Sequence, residues 1–519
     1  MATRNDLAII KQARTGAAAA QLALGTRYFF GGSSLPQSTE TAFYWLERAA
    51  RQGLQDAWMM IGRYVPYELL GTMPRPYEAA GWYEKAFDSG IFKAGLVFSR
   101  LVLEHSRHFS LNVKKKAIDT LRKLAEADNH EAQWLLAQQI QQADLSKNAN
   151  SELATLVDAP MKTFEDQWVR QAARAGVEGA RYSLLEKAWC QGDFTAYEEN
   201  AYSLADKLLL QHEAALAKLR NDTDARPTVN LEGQEIELLL RYAQLLMTRD
   251  MLDLTKAQKL LELAALTGSP QAGFELGMLH ARIDQNGSRT FPDHGLANYK
   301  MAIPWLLAAA RGGIGFAWHA LSIIYTKSEF SQRDLPTSRR YLERAAEMGL
   351  VAAQFEHAQN TWRTRRDNAL SDVRALYWWS KAAEQGHEEA REILLGFSVR
   401  SNNDAWARKA AEKVTNKLRA AHPFLTARIE LAAAFGLTRP EALLVDVREA
   451  DHGHCLVVDI CKYYGRSKRR LVLVETEDQR QKVNLVARLF SDIDSNYEGP
   501  EGNYRQRQYK LKSVFSDID

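Results

Sequence analysis

Small and apolar residues recur along this chain at fixed positions, separated by polar stretches. In each copy a glycine stands three residues after a pair of small residues, and an alanine stands four residues after the glycine, as in Ala49-Ala50, Gly53 and Ala57. Nine copies occur, six complete and three weaker. Four intervals between successive glycines are 36 or 37 residues long, whereas Gly176 and Gly268 lie 92 residues apart, which leaves room for one extra, degenerate unit. Self-similarity at this period predicts an array of stacked helix pairs, because one pair cannot bury its apolar face alone.

Each position of the pattern has a physical role in such a pair. The glycine ends the first helix, because a left-handed residue closes a helix without a Cβ clash. The alanines let the two helices cross closely, and an aromatic residue eight positions before the glycine is expected to fill the gap between stacked pairs. A small residue nine positions after the glycine, such as Gly25 or Gly62, is expected to admit the next pair. The predicted structural core of the repeats is Trp45, Ala49, Gly53, Ala57, Trp82, Gly90, Ala94, Trp168, Gly176, Ala180, Gly268, Ala272, Trp305, Gly313, Ala317, Tyr341, Gly349, Ala353, Trp378, Gly386 and Ala390.

The pattern is interrupted in three places. Asp128 stands where a glycine is expected, and Phe87 stands where an alanine is expected. Residues 190–250 carry no recognisable core. We interpret this stretch as a degenerate insertion with an overlong first helix, a polar surface loop and a second helix; a partner-specific arm is the alternative.

Two segments carry a resemblance to a known family. The stretches AFYWLERAARQGLQDAWMMIGRYV, from Ala42 to Val65, and ALYWWSKAAEQGHEEAREILLGF, from Ala375 to Phe397, resemble Sel1-like repeats, relatives of the tetratricopeptide repeat. The resemblance covers roughly residues 5–400 and implies an α-α solenoid. Sel1-like proteins are mostly interaction adaptors in bacterial envelope, secretion and signalling systems and in eukaryotic protein quality control. The resemblance therefore implies a scaffold for a protein or peptide partner, with specificity at exposed positions of the first helices that line a concave surface.

Composition narrows the class of protein without naming a partner. The 519 residues are 46% hydrophobic and 25% charged, with a formal net charge of +3, which gives no global argument for nucleic acid or membrane binding. Three cysteines are too few for a disulfide framework and favour a reducing compartment. The N-terminal residues contain no apolar signal-peptide core, and no segment approaches the ~20 apolar residues that span a bilayer. We therefore expect a cytoplasmic protein; the sequence leaves its oligomeric state open.

The repeat pattern predicts three regions. Residues 1–400 form the repeat solenoid, residues 401–424 form a capping helix, and residues 425–519 form a small α/β module of no recognised family. Within the module, apolar runs at His454–Ile460 and Arg469–Thr476 predict two strands. A helix is expected to follow to about Phe490, and the tail is expected to add another strand.

The module also holds the alternative functional site. Asp459, Lys462 and Glu475 stand at predicted strand ends, which resembles a metal-dependent nuclease, although the D-x-x-K spacing differs from the usual E-x-K. Arg469 and Arg470 belong to basic clusters near tyrosines, a pattern that binds single-stranded nucleic acid, but residues 426–519 carry no net charge.

Two further motifs give weaker chemical signals. The segment from Ala432 to Leu443 resembles half of a helix-turn-helix, with apolar residues where a recognition helix needs donors. The ADHGHC run from Ala450 to Cys455 lacks the second ligand pair of a zinc site.

We therefore predict a non-catalytic adaptor without catalytic, cofactor-binding or metal residues, and no membrane partner. The alternative is a nucleic-acid-binding or metal-dependent hydrolytic C-terminal effector that the repeat array targets.

Overall fold

The structure is a computed structural model, and it divides into two compact units. It describes residues 4–31, 35–71, 73–145, 159–221, 227–248, 253–366, 368, 370–398, 405–462, 464–465, 468–491 and 500–515. The first unit runs from Met1 to Gln211 and the second from His212 to Asp519. Each unit is predominantly helical and contains successive antiparallel helix pairs, so the predicted class, a mostly α fold of stacked helix pairs with a small strand-containing C-terminal part, is confirmed.

The first unit is built from helix pairs in which each helix packs on the one before it and the one after it. A short helix and two 3-10 turns, Pro76–Ala79 and Ser106–His108, lie in the connections. Its helices are α1 (Arg4–Arg14), α2 (Ala18–Phe30), α3 (Thr39–Arg51), α4 (Gln55–Tyr64), α5 (Tyr67–Gly71), α6 (Ala80–Asp88), α7 (Phe92–Glu104), α8 (Leu111–Glu126), α9 (His130–Leu145), α10 (Ala159–Arg174), α11 (Glu178–Gln191) and α12 (Phe194–Gln211).

The second unit continues with helix pairs and then changes to shorter helices around a two-stranded antiparallel sheet. Its elements are α13 (Glu213–Asn221), α14 (Gly233–Thr248), α15 (Leu254–Ala265), α16 (Pro270–Ala281), α17 (Tyr299–Arg311), α18 (Gly315–Thr326), α19 (Leu335–Glu347), α20 (Val351–Arg363), α21 (Ser371–Glu384), α22 (Glu388–Leu395), α23 (Ala405–Glu412), α24 (Asn416–Ala421), α25 (Pro423–Phe435), α26 (Arg439–Leu444), α27 (Val447–Ala450), β1 (Cys455–Val458), β2 (Arg470–Leu473), α28 (Glu477–Leu489) and α29 (Tyr504–Val514).

The turn inside each pair is a Schellman motif centred on the recurring glycine. At Gly53 φ is +88°, its N–H donates to the Ala50 carbonyl at 2.9 Å, and the Leu54 N–H donates to the Ala49 carbonyl at 3.4 Å. The same pair of hydrogen bonds recurs at seven other copies, including the one in which Asp128 takes the glycine position with φ +57°. At Gly268 the first bond is kept, but the Ser269 N–H donates to the Thr267 hydroxyl at 3.3 Å instead. The predicted turn positions are therefore confirmed.

Close packing between successive pairs explains the small residues nine positions after the glycine. A Cβ atom added to Gly62 would lie 2.3 Å from the Ala86 Cβ on α6, and one added to Gly25 would lie 2.8 Å from the Leu46 Cγ on α3. Both neighbours belong to the first helix of the next pair, so the predicted contact is confirmed. The alanines four residues after the turn, from Ala57 to Ala390, are fully buried.

The aromatic residues of the pattern are less buried than their predicted role requires. Trp168 and Trp305 are buried, but Trp45 and Tyr341 are half-buried, as are Trp82 and Trp378. The space between pairs is filled instead by the next residue, seven positions before the glycine, which is buried in eight of the nine copies. These residues are Leu46, Tyr83, Leu121, Val169, Leu261, Leu306, Leu342 and Trp379.

Residues 190–250 contain more helix than we predicted. Helix α12 is 18 residues long, α13 follows it after one residue, and α14 begins at Gly233. Within the second unit, α13 packs on α15, and Arg220 forms an ion pair with buried Glu262 at 3.0 Å. Part of the predicted loop, residues 222–226, lies outside the described residues.

The C-terminal part departs from the prediction in two elements. The capping helix expected within residues 401–424 is two helices, α23 and α24, and the expected strand in the tail is helix α29. Asn503 and Gln506 form a capping box at the start of α29, which fixes a helix there.

The two predicted strands are present; they pair antiparallel and pack on the last helix pair. Cys455 pairs with Leu473 and Val458 with Arg470. One face of this hairpin, at Cys455, Leu471 and Leu473, shares a hydrophobic cluster with α20, α21 and α22. The hairpin therefore covers apolar surface of the last pair, while Ala407 and Ala410 of α23 pack in the core of the C-terminal helices.

Candidate protein-interaction groove

A groove of about 640 Å³ crosses three successive second helices of the first unit, α4, α7 and α9. It also reaches the turn between α10 and α11 at Ala175 and Val177. We call it the tyrosine groove. The lining residues used below are Arg63, Tyr64, Val65, Tyr67, Glu68, Lys93, Leu96, Val97, Arg100, Asp128, His130, Glu131 and Leu135.

Equivalent repeat positions build this groove. Val97 on α7 and Leu135 on α9 both stand seven residues after the residue at the turn, and they contribute apolar floor. Lys93 and Glu131 both stand three residues after it and lie near the start of their helices. Because the positions repeat from pair to pair, stacking alone aligns these side chains along one line of the surface.

A cluster of charged groups holds one wall of the groove in place. The Arg100 guanidinium lies over the Tyr67 ring, 3.9 Å from its centroid, and the Arg100 Nε donates to Glu104 at 2.9 Å. The Tyr67 hydroxyl donates to the same carboxylate. Burial, together with the hydrogen bond to Glu104, raises the pKa of Tyr67 to about 12, so the hydroxyl remains a donor at neutral pH.

Aromatic surface continues beside this wall. Phe30 and Tyr64 meet edge to face with ring centroids 5.2 Å apart, and Phe29 lies 5.6 Å from Tyr64. Phe30 is 53% exposed, which is unusual for a phenylalanine. The groove and the adjoining rings therefore present apolar area outside the packed core.

Two exposed cations complete the rim. Arg63 and Lys93 are exposed, and within the described residues neither has a hydrogen bond or an ion pair. Glu68, Asp128 and Glu131 supply negative charge on the other sides. The rim thus offers charges of both signs around an apolar floor.

The repeat-core residues lie away from this groove and hold the helix pairs together. The sequence analysis missed one recurring contact, made by the side chain five positions after the turn residue. It donates to the backbone carbonyl three positions before that residue, which is eight residues back along the chain. The pairs are Gln21 to Ala13, Gln133 to Ala125, Arg181 to Ala173, Gln354 to Ala346 and Arg391 to Ala383, at 3.1 to 3.3 Å. The recurrence of glutamine or arginine five residues after the turn residue is the sequence signal that could have predicted this contact.

The residues of the alternative C-terminal site are not brought together. Since the strands are antiparallel, Asp459 follows β1 at one end of the hairpin and Glu475 follows β2 at the other. Asp459 lies 3.9 Å from the Arg469 Nε, Lys462 is exposed, and Glu475 accepts a hydrogen bond from Ser398 at 2.6 Å. This geometry does not assemble the two carboxylates that a hydrolytic metal site needs.

The arginines of that site form internal contacts. Arg470 donates to Glu441 through two nitrogens, at 2.8 and 2.9 Å, and to the Gly436 carbonyl at 3.0 Å. Arg469 forms a bidentate pair with buried Asp372 on α21, with one contact at 3.1 Å. Both guanidinium groups therefore help to hold the hairpin in place.

The helix-turn-helix resemblance fails for a similar reason. Helix α26 has only six residues, and Leu443 and Leu444 are buried in the core. Thr438 and Glu441 form its capping box, and Glu441 also binds Arg470. Burial raises the pKa of Glu441, but the hydrogen bonds from Arg470 and Thr438 outweigh it and hold that pKa below its usual value.

Side chains of the ADHGHC run form hydrogen bonds within the fold. Asp451 accepts two hydrogen bonds from Arg480, at 2.9 and 2.5 Å, and the His454 Nε2 donates to the Val373 carbonyl at 2.9 Å. Burial raises the pKa of Cys455 to about 12, which disfavours the thiolate that binds metals. Across the described residues, no group of three or more His, Cys, Asp or Glu side chains is arranged to hold a metal ion.

Comparison with known proteins identifies the repeat. The model of the Sel1 repeat matches residues 18–54, 59–91, 319–350 and 369–387. The chain also matches the crystal structure of c5321, a protective antigen of uropathogenic Escherichia coli strains with an SLR fold, at 19% identity and a TM-score of 0.48, over 98% of this chain and 96% of that one. A second match is a Sel1 repeat protein from Oxalobacter formigenes, at 19% identity and a TM-score of 0.22, over 76% of this chain and 90% of that one.

No curated protein matches the chain. Among the described residues, no helix is long and apolar enough to cross a membrane.

Proposed function

Because four segments of this chain match the Sel1 repeat, we propose that it is a non-catalytic adaptor that binds an extended peptide segment of a partner protein in the tyrosine groove. Sel1 repeats generally mediate protein–protein interaction. The observation that carries the proposal is the groove itself, which crosses three successive second helices at equivalent repeat positions. The exposed side chains of Arg63, Tyr64 and Lys93 on its rim are available to a partner.

The shape and chemistry of the groove favour a peptide. Its volume of about 640 Å³ lies within the range of sites that enclose a ligand, roughly 300–1,000 Å³. Leu96, Val97 and Leu135 offer apolar floor for a side chain of the partner, while Arg63 and Lys93 offer donors on the rim. A site that crosses three successive helices, with an apolar floor and a charged rim, suits an extended chain better than a compact ligand.

The proposed surface differs from the one that the sequence predicted. Sequence reasoning assigned specificity to exposed positions of the first helices, whereas the groove is formed by the second helices of three pairs. The difference arises because the first helices place their apolar faces against neighbouring pairs, as Leu46 and Tyr83 do.

The proposal extends to catalysis and cellular location. The separation of Asp459 from Glu475 and the internal contacts of Arg469 and Arg470 argue against the rival, a hydrolytic or nucleic-acid-binding C-terminal effector. Three cysteines carry free thiols, two of them exposed, which supports a reducing compartment such as the cytoplasm.

The test starts from peptide selection on the full chain. A random peptide library is panned against the protein, and the best peptide is measured by titration calorimetry against the wild type and the Arg63→Glu/Lys93→Glu variant. We expect the variant to bind about tenfold more weakly, since it reverses both unpaired charges of the rim.

The control is Lys123→Glu, which reverses an exposed charge on α8, a first helix of the same unit. We expect it to bind as the wild type does. Failure to select any peptide, or a loss in Lys123→Glu with none in the groove variant, would show that the groove is not the binding site.

A further inference from the structure

A second groove in the first unit has a different charge pattern. It lies between α10, α11 and α12, has a volume of about 480 Å³, and is lined by Arg170, Arg174, Arg181 and Lys187. We call these four residues the arginine notch. The opposite wall, on α12, carries Glu199.

Two arginines in the notch have no partner. Arg170 and Arg174 are exposed, stand one turn apart on α10, and form neither a hydrogen bond nor an ion pair with the described residues. Two like charges four residues apart on a helix repel each other weakly. The fold therefore gains nothing from this pair beyond the favourable position of a cation at a helix C-terminus.

Comparison between repeats shows how unusual the pair is. In the copy around Gly53 the same two positions, six and two residues before the glycine, hold Glu47 and Arg51, which form an ion pair at 2.8 Å. The acidic member of that pair is replaced by Arg170 in the copy around Gly176. The two positions carry no net charge in the copy around Gly53, but they carry two positive charges in the copy around Gly176.

The other two cations are held by the fold. The Arg181 Nε donates to the Ala173 carbonyl at 3.1 Å, which fixes the guanidinium at the notch. Lys187 pairs with Asp166 at 2.5 Å. A guanidinium anchored by one nitrogen keeps other N–H groups for a carboxylate, which the planar fork of arginine binds with two hydrogen bonds.

We propose that the arginine notch is a docking site for an acidic peptide segment, whose Asp or Glu carboxylates bind Arg170, Arg174 and Arg181. The acidic groups of the lining select against a nucleic acid, because Asp193 and Glu199 would repel a continuous phosphate backbone. A short peptide avoids that repulsion, since it can place carboxylates beside α10 and neutral or basic residues beside α12. This site stands independently of the tyrosine groove.

The repeat comparison supplies a variant that separates binding from folding. Arg170→Glu recreates the Glu–Arg arrangement of Glu47 and Arg51, so the folded chain should be at least as stable as the wild type. A matched control is Arg14→Glu, because Arg14 occupies the repeat position of Arg174, two residues before Gly16, and is also exposed at the end of its helix.

The experiment measures fluorescence polarisation with the full chain and three probes. They are a labelled Gly-Ser peptide with one Glu-Glu pair, the same peptide with Lys-Lys, and a labelled oligothymidylate. We expect the Glu-Glu peptide to bind the wild type most tightly of the three probes. Its affinity should be about tenfold lower for Arg170→Glu and unchanged for Arg14→Glu. The thermal midpoint of each variant is recorded alongside.

Several outcomes would overturn the proposal. Undetectable binding of the Glu-Glu peptide, tighter binding of the oligothymidylate, or unchanged affinity in Arg170→Glu would each exclude the notch as an acidic-peptide site. If Arg170→Glu lowers the thermal midpoint, Arg170→Gln replaces it, and retained wild-type affinity in that variant has the same meaning.

Discussion

Ala317 is fully buried where the two helices of one pair, α17 and α18, pack together beside Ala309 and Ala310. We expect Ala317→Leu to lower the free energy of unfolding by about 1–3 kcal/mol, because the added methylenes have no space at this crossing. Ala308→Leu is the control, since Ala308 is exposed on α17. Chemical denaturation of both variants checks this; equal stability of Ala317→Leu and the wild type would contradict the assigned contact.

Asp128 offers a substitution expected to stabilise the protein. It holds φ +57°, the left-handed conformation that glycine occupies at the other turns. Asp128→Gly should raise the free energy of unfolding by up to about 1 kcal/mol, because glycine adopts this conformation without a Cβ clash. A thermal midpoint below that of the wild type would show that the Asp128 side chain stabilises the fold by more than its left-handed conformation costs.

Residue identity predicted the turns well and the interior less well. Glycine at a helix end and paired alanines have few structural alternatives, so Gly53 and Ala57 could be placed from the sequence. We predicted that Trp45 fills the space between pairs, but the buried residue is its neighbour Leu46. A tryptophan is amphipathic and can stay partly exposed, whereas an aliphatic side chain at the next position is buried. The sequence could not predict the tyrosine groove, since it depends on how three helices align.

At the scale of elements, a glutamine ladder links successive pairs at two equivalent places. Gln52 donates to Gln21 at 2.7 Å in the first unit, and Gln385 donates to Gln354 at 2.9 Å in the second. Each acceptor in turn binds a backbone carbonyl of its own pair. The ladder therefore ties the end of one first helix to the neighbouring pair.

Buried Gln354 allows this link to be measured. Gln354→Leu should lower the free energy of unfolding by about 1–2 kcal/mol, since it removes two hydrogen bonds and leaves the Gln385 amide without its acceptor. In a double-mutant cycle with Gln385→Leu, the sum of the stability losses of the two single variants should exceed the stability loss of the double variant. Strict additivity would mean that the two side chains do not interact.

The tail shows why some elements were predicted wrongly. The tail was expected to add a strand, but Asn503 and Gln506 form a capping box, a signal present in the sequence that favours a helix. Buried Arg507, which donates to the Leu443 carbonyl at 2.7 Å, then fixes this helix on α26. That last contact is tertiary, and local sequence does not reveal it.

At the scale of the whole molecule, the hairpin completes the repeat array within the second unit. Asp372 on α21 is buried and pairs with Arg469 of the hairpin. Asp372→Asn should lower the stability of this unit by about 1–3 kcal/mol, because it removes one charge of a partly buried, bidentate pair. Hydrogen exchange should accelerate in α21, β1 and β2; unchanged exchange there would argue against a covering role for the hairpin.

The contact between His454 of the hairpin and the Val373 carbonyl of α21 predicts that stability depends on pH. Burial lowers the pKa of His454 below its ordinary 6.5, although the hydrogen bond to Val373 opposes the shift. The unfolded chain then takes up a proton at higher pH than the folded chain, so stability is full above about pH 6.5 and falls as the pH decreases below it. His280 and His357, whose pKa values burial also lowers, act in the same direction.

Unfolding of the wild type and of His454→Gln at pH 7.5 and pH 5.5 measures this contribution. We expect the variant to lose less stability between the two pH values than the wild type does. An equal or larger loss in His454→Gln would mean that this histidine is not held neutral against Val373.

Hydrogen–deuterium exchange of the full chain, with and without its selected peptide, tests the central claim most directly. The adaptor account predicts that the peptide slows exchange in residues 62–68, 93–100 and 128–135, which line the tyrosine groove, and leaves β1, β2 and the exposed faces of the first helices unchanged. Protection confined to the first helices or to the hairpin, with none at the groove, would contradict the account.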